Sequence, residues 1–361
     1  MKHFLIKISL FFLIPTIGII LCSLFLPIDT LAYRPWEGLR YSKAQTDSPF
    51  YPNSFVSMNS VGDLCHHTEN AVMKQEQWQT DELGFRNNKY IKNPDILIIG
   101  DSFVAGTGLT QANTLCNQLI ALSGDTKVYN IAPSSMSEFD NLLQTGKLGK
   151  PKLLVFSIVE RNVPENIQQH HSANSKPEKM KDFISSNALE VCMDKIAKST
   201  LLNWIKARAL RQGGNGIRST NHSNMYFLQG AKQRHKKDDL ASTTAALISY
   251  KQYCDSLGVK FLFLPIPDKE TVYHELVPIV RQSDYLLQLD SLLSVRGIPS
   301  INCLKVYNDY RKTDSSLLYH LDDTHWNSRA VTIIAKEIVK QMRRQKELSG
   351  IATGRGRQQT N

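Results

Sequence analysis

Two short polar motifs carry the side chains from which chemistry can be built. Gly100-Asp101-Ser102-Phe103 follows directly on the apolar run ILII, and Asp322-Asp323-Thr324-His325-Trp326-Asn327 precedes the last helical stretch. A serine hydroxyl becomes a nucleophile when a neighbouring base takes its proton, and that base needs a carboxylate to fix its tautomer. Ser102 offers the hydroxyl. His325 offers the base, with Asp323 or Asp322 two or three residues before it. The glycine before the serine permits a tight turn, and free N–H groups at a helix start can receive a developing oxyanion. Each motif also has a plain reading: Asp101 or Ser102 caps a helix, and Asp322 and Asp323 cap another while His325 packs on Trp326. Together they favour the chemical reading, because the first strand and the last helix of an α/β domain meet at one sheet edge, where reactive groups collect.

The elements that must position these residues follow from the hydrophobic pattern. Apolar runs at 96–99, 128–132, 152–159 and 260–267 predict strands, with a fifth at 298–303, and helical stretches fall at 113–122, 241–257, 283–295 and 328–347. Wholly apolar strands alternating with helices predict a parallel sheet covered on both faces, an α/β fold of three α/β/α layers. This domain is expected over 91–347. Residues 28–90 read as an irregular lead-in with room for a hairpin, because Gly and Pro punctuate each apolar run. A polar helical insertion with a mobile loop at RQGGNG is expected at about 165–240, and a disordered basic tail at 348–361.

The N-terminus predicts location. Residues 8–27 carry no charge, and about 20 apolar residues suffice to cross a bilayer as a helix. Lys2 and Lys7 precede the run, so the positive-inside rule puts the remainder outside the cytoplasm. Residues 1–27 therefore read as a cytoplasmic stub and single transmembrane anchor in the inner membrane, with the rest in the periplasm or beyond the cell. A signal peptide cleaved near Thr30-Leu31-Ala32 is the alternative; the apolar run exceeds the usual signal core.

At 361 residues, 42% hydrophobic and 21% charged, the chain is neither collagen-like, coiled-coil nor wholly disordered. Its net charge of +10 is unevenly spread: residues 165–245 hold 13 Lys and Arg against 7 Asp and Glu, and 329–361 hold 8 against 2. The excess thus lies on accessory segments, and in an exported protein it points to anionic glycan, lipid headgroups or a partner rather than to nucleic acid. Six cysteines form no CxxC pair, and Cys65-His66-His67 lacks the second ligand cluster of a zinc site. No metal or cofactor is expected.

GDSF followed far downstream by DTHWN resembles the SGNH (GDSL-like) hydrolase superfamily over roughly 95–340. Within it SIVERN at 157–162, PIPDKETVYHELVP at 265–278 and LLYHLDDTHWNSRA at 317–330 are similar to the alginate O-acetyltransferase-like branch of periplasmic sugar-acetylating proteins, and TDELGFRN at 80–87 resembles its approach strand. The resemblance implies Ser102 as nucleophile and His325 as base. It implies Asp323 as orienting acid by the D-x-H-W pattern, or Asp322 by the D-x-x-H pattern. Motif order departs from the branch, where the DxH pair precedes the serine, and Arg329 stands where a glycine is usual.

Further roles follow from the same likeness. Asn130, in a second block NIAPS that lacks the usual glycine, and Asn162, beside Glu160 and Arg161, stand where oxyanion donors are expected. Lys269 is either a substrate contact or a solvated loop lysine. Trp326 and Tyr319 either stack on a sugar or pack against the histidine loop. The implied function is transfer of an acetyl or similar acyl group to a cell-envelope or extracellular polysaccharide through an acyl-serine, with a multi-span membrane O-acyltransferase as partner. An esterase or deacetylase would use the same triad, and a glycan-binding scaffold would keep the fold without chemistry.

Overall fold

The computed structural model describes residues 2–25, 34–40, 48–65, 68–163, 216–221, 224–228, 237–278 and 284–355, with residues 32 and 209 besides. Helix α1 (Lys2–Phe25) and a short helix α2 (Pro35–Leu39) come first. Among the described residues no helix is long and apolar enough to cross a membrane. The expected span at 8–27 overlaps α1 over residues 8–25, and residues 26 and 27 lie outside the described residues.

Strands β1 (Phe55–Ser60) and β2 (Lys74–Gln79) form an antiparallel pair, the hairpin for which the lead-in left room. Leu39, Phe50, Val56 and Trp78 close a small core beneath it. The central sheet holds β3 (Ile96–Gly100), β4 (Val128–Asn130), β5 (Leu153–Val159) and β8 (Lys260–Ile266), all parallel, in the order β4-β3-β5-β8. Every residue of β3, β4 and β5 is buried, which requires cover on both faces. The winding direction reverses at β3, between β4 on one side and β5 on the other, and such a reversal opens a crevice at the strands' carboxyl ends. Ser102 follows β3 at that crevice.

Helices α3 (Ser102–Ala105), α4 (Leu115–Ser123) and α5 (Met136–Gln144) follow the first strands. Then come α6 (Lys237–Ser256), α7 (Lys269–Val272), α8 (Tyr285–Val295), α9 (Cys303–Arg311) and α10 (Ser328–Arg355). Helix α10 packs on α4, and α6 packs on β8 and α8. The expected fifth strand at 298–303 is a single parallel bridge, Phe263 to Ser300, because α9 takes over at Cys303. Helix α10 outruns its expected end at 347: no proline stops it, so residues 348–355 of the expected disordered tail are helical.

Much of the expected insertion at 165–240 lies outside the described residues, as do residues 356–361. The described part includes the antiparallel pair β6 (Gly216–Arg218) and β7 (Tyr226–Leu228). Gly216 N–H donates to Leu64 O at 2.9 Å and Tyr226 N–H to Leu321 O at 2.8 Å, so this ribbon joins the lead-in to the histidine loop. Cys65, Cys116, Cys254 and Cys303 are buried free thiols.

Candidate active site

The serine turn is built by close approach. Gly100 has φ +151, and a Cβ there would lie 2.0 Å from the Ser157 carbonyl oxygen, so only glycine fits between β3 and β5. Asp101 caps α3 by accepting Phe103 N–H at 3.0 Å, and its other oxygen accepts Val159 N–H at 2.8 Å. The capping reading of Asp101 therefore holds alongside the chemical reading of Ser102. Desolvation pushes the Asp101 carboxyl above its ordinary value, against these two hydrogen bonds. Ser102 itself is exposed. As the first residue of α3, its N–H has no intrahelical acceptor.

Ser102 Oγ lies 2.9 Å from His325 Nε2, and His325 Nδ1 lies 2.6 Å from Asp323 Oδ1. The same Asp323 oxygen accepts the His325 main-chain N–H at 3.0 Å, which orients the ring on its own backbone. Burial opposes the Asp323 charge, but His325, followed by Lys74, holds the carboxyl well below its ordinary range. Phe103 backs the imidazole at 4.6 Å between ring centres. Trp326 is fully buried and donates its indole N–H to Phe103 O at 3.0 Å, so it braces the serine turn and cannot stack on a sugar. Tyr319 is likewise buried, with its hydroxyl on Pro267 O.

Asp322 takes no part in this hydrogen-bond chain. Its Oδ2 accepts Gly62 N–H at 2.8 Å and Val72 N–H at 2.9 Å, and its Oδ1 accepts Lys74 Nζ at 2.8 Å. Asp322 thus faces the lead-in while its neighbour Asp323 faces His325.

Lys269 is neither a substrate contact nor a solvated lysine. It is fully buried, and its ammonium donates to the carbonyls of His320 at 2.6 Å, Leu321 at 3.0 Å and Asp323 at 3.1 Å. Desolvation pulls its pKa down to about 8. It fixes the backbone of the histidine loop from below.

Asn130 is not available as an oxyanion donor. It is fully buried, its amide donates to Val104 O at 3.0 Å, and its Oδ1 accepts Ala132 N–H at 2.9 Å. Ser134 N–H is also committed, to Gly100 O at 2.8 Å, and Pro133 has no N–H. The second block thus positions β3 and α3 through its hydrogen bonds. Asn162 is half-buried in a 3₁₀ turn (Glu160–Asn162) at the carboxyl end of β5, on the same edge as Ser102. Arg161 donates to Asp268 Oδ1 at 2.5 Å and lies over the Phe103 ring; burial opposes its charge, but Asp268 raises its pKa. Glu160 is buried and accepts Asp268 N–H at 3.1 Å and the Thr271 hydroxyl at 2.6 Å. These contacts lock the ends of β5 and β8 together.

A cleft of about 730 Å³ opens over Ser102 and His325. Its walls include Arg34, Trp36, Phe50 and Asp63 from the lead-in, together with Pro133 and Leu228. Motif reading missed these lead-in residues, since no periodicity or spacing ties them to the serine. It also missed Arg86, whose motif was quoted only for likeness. The buried Arg86 guanidinium donates to the carbonyls of Gly106, Leu109 and Gln77 and to the Gln111 side-chain oxygen, and stacks on Trp78 at 3.8 Å. It thereby ties the hairpin to the loop after α3.

Asp63, Asp323 and His325 bring one ligand-type atom each within 4.8 Å of one another. The Asp63 oxygens already accept the Thr324 N–H at 2.9 Å and its hydroxyl at 2.7 Å, while His325 Nδ1 is held by Asp323. This donor set is that of a hydrogen-bond chain rather than a closed metal shell. Of the Cys65-His66-His67 run, the two histidines lie outside the described residues.

A parallel α/β sheet thus carries a serine, a histidine and an aspartate in one chain of hydrogen bonds at its carboxyl edge, an arrangement suited to nucleophilic acyl chemistry. Residues 225–360 match the family described as the SGNH hydrolase-like domain of the acetyltransferase AlgX. That stretch contains Lys269, Asp322, Asp323, His325 and Trp326, whereas Ser102 lies upstream of it. No curated protein matches the chain.

Proposed function

We propose that this protein is an O-acyltransferase that moves an acetyl group onto a cell-envelope or extracellular polysaccharide. The observation that carries this reading is the unbroken chain Ser102 Oγ, His325 Nε2, His325 Nδ1, Asp323 Oδ1, with steps of 2.9 and 2.6 Å across its two hydrogen bonds. The serine end of that chain opens into a cleft roomy enough for a sugar.

Ser102 attacks the acyl carbonyl of a donor while His325 takes the hydroxyl proton and Asp323 fixes the imidazole tautomer. The Ser102 N–H receives the oxyanion, with Asn162 as the remaining side-chain candidate for a second donor. The donor's leaving group departs with the proton held on His325. A sugar hydroxyl then gives its proton to His325 and attacks the acyl-serine, and His325 returns that proton to the Ser102 oxygen as the ester bond to the serine breaks. Trp36 and Phe50 supply the apolar wall, and Arg34 and Arg40 the polar contacts, on which an acceptor glycan can lie.

The uncharged run at 8–27 behind Lys2 and Lys7 supports an anchor in the cytoplasmic membrane with the α/β domain outside the cytoplasm. There a multi-span membrane O-acyltransferase would supply acyl groups.

The purified protein should release acetate from an activated acetyl ester, and Ser102→Ala should reduce this to the uncatalysed rate. O-acetyl content of the envelope glycan should fall when the gene is deleted. A rise on deletion identifies an esterase instead. Hydrolysis by neither protein, with glycan acetylation unchanged, identifies a scaffold.

A further inference from the structure

Asp63 enters the site from the lead-in, far from the serine and histidine motifs in sequence. The residues on either side of it are clamped to Asp322: Gly62 N–H donates to Asp322 Oδ2 at 2.8 Å and Leu64 N–H to the Asp322 carbonyl at 3.0 Å. Held between these two anchors, the Asp63 carboxylate accepts Thr324 N–H on one oxygen at 2.9 Å and the Thr324 hydroxyl on the other at 2.7 Å. A carboxylate oxygen of Asp63, one of Asp323 and a ring nitrogen of His325 lie within 4.8 Å of one another, and Asp63 lines the cleft beside Ser102.

We propose that Asp63 is a positioning residue for His325: through Thr324 it fixes the histidine loop, and its charge stabilises the imidazolium formed when Ser102 gives up its proton. The inference rests on the acyl-serine reading above. Thr324 is the residue between Asp323 and His325, so a tether on its backbone and its hydroxyl restrains both. A second negative charge within about 5 Å favours the protonated imidazole in the same sense as Asp323 does.

The other charged groups facing this centre are Asp101 on the serine turn and Arg34 on the cleft wall. Lys74 and His320 act on Asp323, and the Lys269 ammonium lies beneath the loop backbone. Burial, followed by the Asp323 charge, pushes the Asp63 carboxyl up, while His325 and Thr324 pull it back.

The test is the pH dependence of kcat/KM for p-nitrophenyl acetate hydrolysis by the full chain. It is measured from about pH 5 to about pH 9, where a histidine base titrates. Asp63→Asn removes the charge and keeps the shape. It should lower the plateau and move the acid limb to lower pH by about one unit, since an imidazolium with one fewer carboxylate loses its proton more readily. Thr324→Val breaks the hydroxyl tether and keeps both charges, so kcat should fall with the limb in place. A limb unmoved by Asp63→Asn, or Thr324→Val with wild-type kcat, overturns the proposal while Ser102-dependent hydrolysis preserves the acyl-serine reading. Hydrolysis that does not depend on Ser102 overturns both.

Discussion

The Gly62 amide donates to Oδ2 of Asp322 at 2.8 Å, joining the lead-in to the loop that carries His325. The approach leaves no room for a side chain: a Cβ on Gly62 would lie 2.1 Å from the Asp322 carbonyl oxygen. Residues read from sequence as an irregular approach to the domain are therefore one wall of its cleft. Asp322 and Asp323, neighbours in the chain, divide the work. One holds the wall and the other holds the imidazole.

That division predicts opposite phenotypes for two conservative changes. Asp323→Asn should leave the thermal midpoint near wild type and lower kcat for ester hydrolysis by about three to four orders of magnitude, because the imidazole loses its orienting charge. Asp322→Asn should instead destabilise the fold by about 1–3 kcal/mol, since Lys74 loses its buried partner and an amide nitrogen faces donors. Gly62→Ala should resemble Asp322→Asn. Urea unfolding and steady-state kinetics on the three variants separate the two roles.

Lys269 should matter without touching substrate. Lys269→Met keeps the apolar stem and removes three charge-assisted hydrogen bonds to loop carbonyls. A loss of about 2 kcal/mol in urea unfolding is expected, the remainder being offset by no longer burying a charge. The kcat should fall because the His325 loop is less well held, while KM should change little. A large rise in KM with unchanged kcat would return Lys269 to the role of substrate contact.

His320 gives the fold an acid sensitivity. Its Nε2 is buried without a hydrogen-bond partner among the described residues, and desolvation lowers its pKa to about 4. The unfolded chain binds that proton near the ordinary histidine value, so between there and about 4 the unfolded state holds more protons than the native state. Stability from keeping this histidine neutral is complete above about pH 6.5 and is lost as pH falls, by about 3 kcal/mol in all. Urea midpoints should decline over that window in the wild type, and His320→Gln should flatten the decline.

Much of the fold was legible because buried parallel strands announce themselves. The runs at 96–99, 152–159 and 260–267 became β3, β5 and β8 within a residue or two at either end. The run at 298–303 failed because apolar residues entering a helix look like a short strand, and only the ladder separates them. Helix α5 and helix α9 are not in the sequence reading, since at 9 residues each they offer too short a periodic stretch to stand out.

Residue types and spacing by themselves marked out Ser102, His325 and an adjacent aspartate as candidates, because nucleophile, base and orienting acid are chemically specific residue types that sit in compact loops. Tertiary structure alone decided which aspartate faces the imidazole, since that depends on loop direction and on what lies across from each side chain. It also reassigned Lys269 and Trp326 from the cleft to the supports beneath it, and Asn130 from oxyanion donor to buried brace. Each of these residues has a polar end that fits a substrate as well as it fits a backbone group. Asp63 entered the same way, brought beside His325 by hydrogen bonds between segments that the linear chain keeps apart.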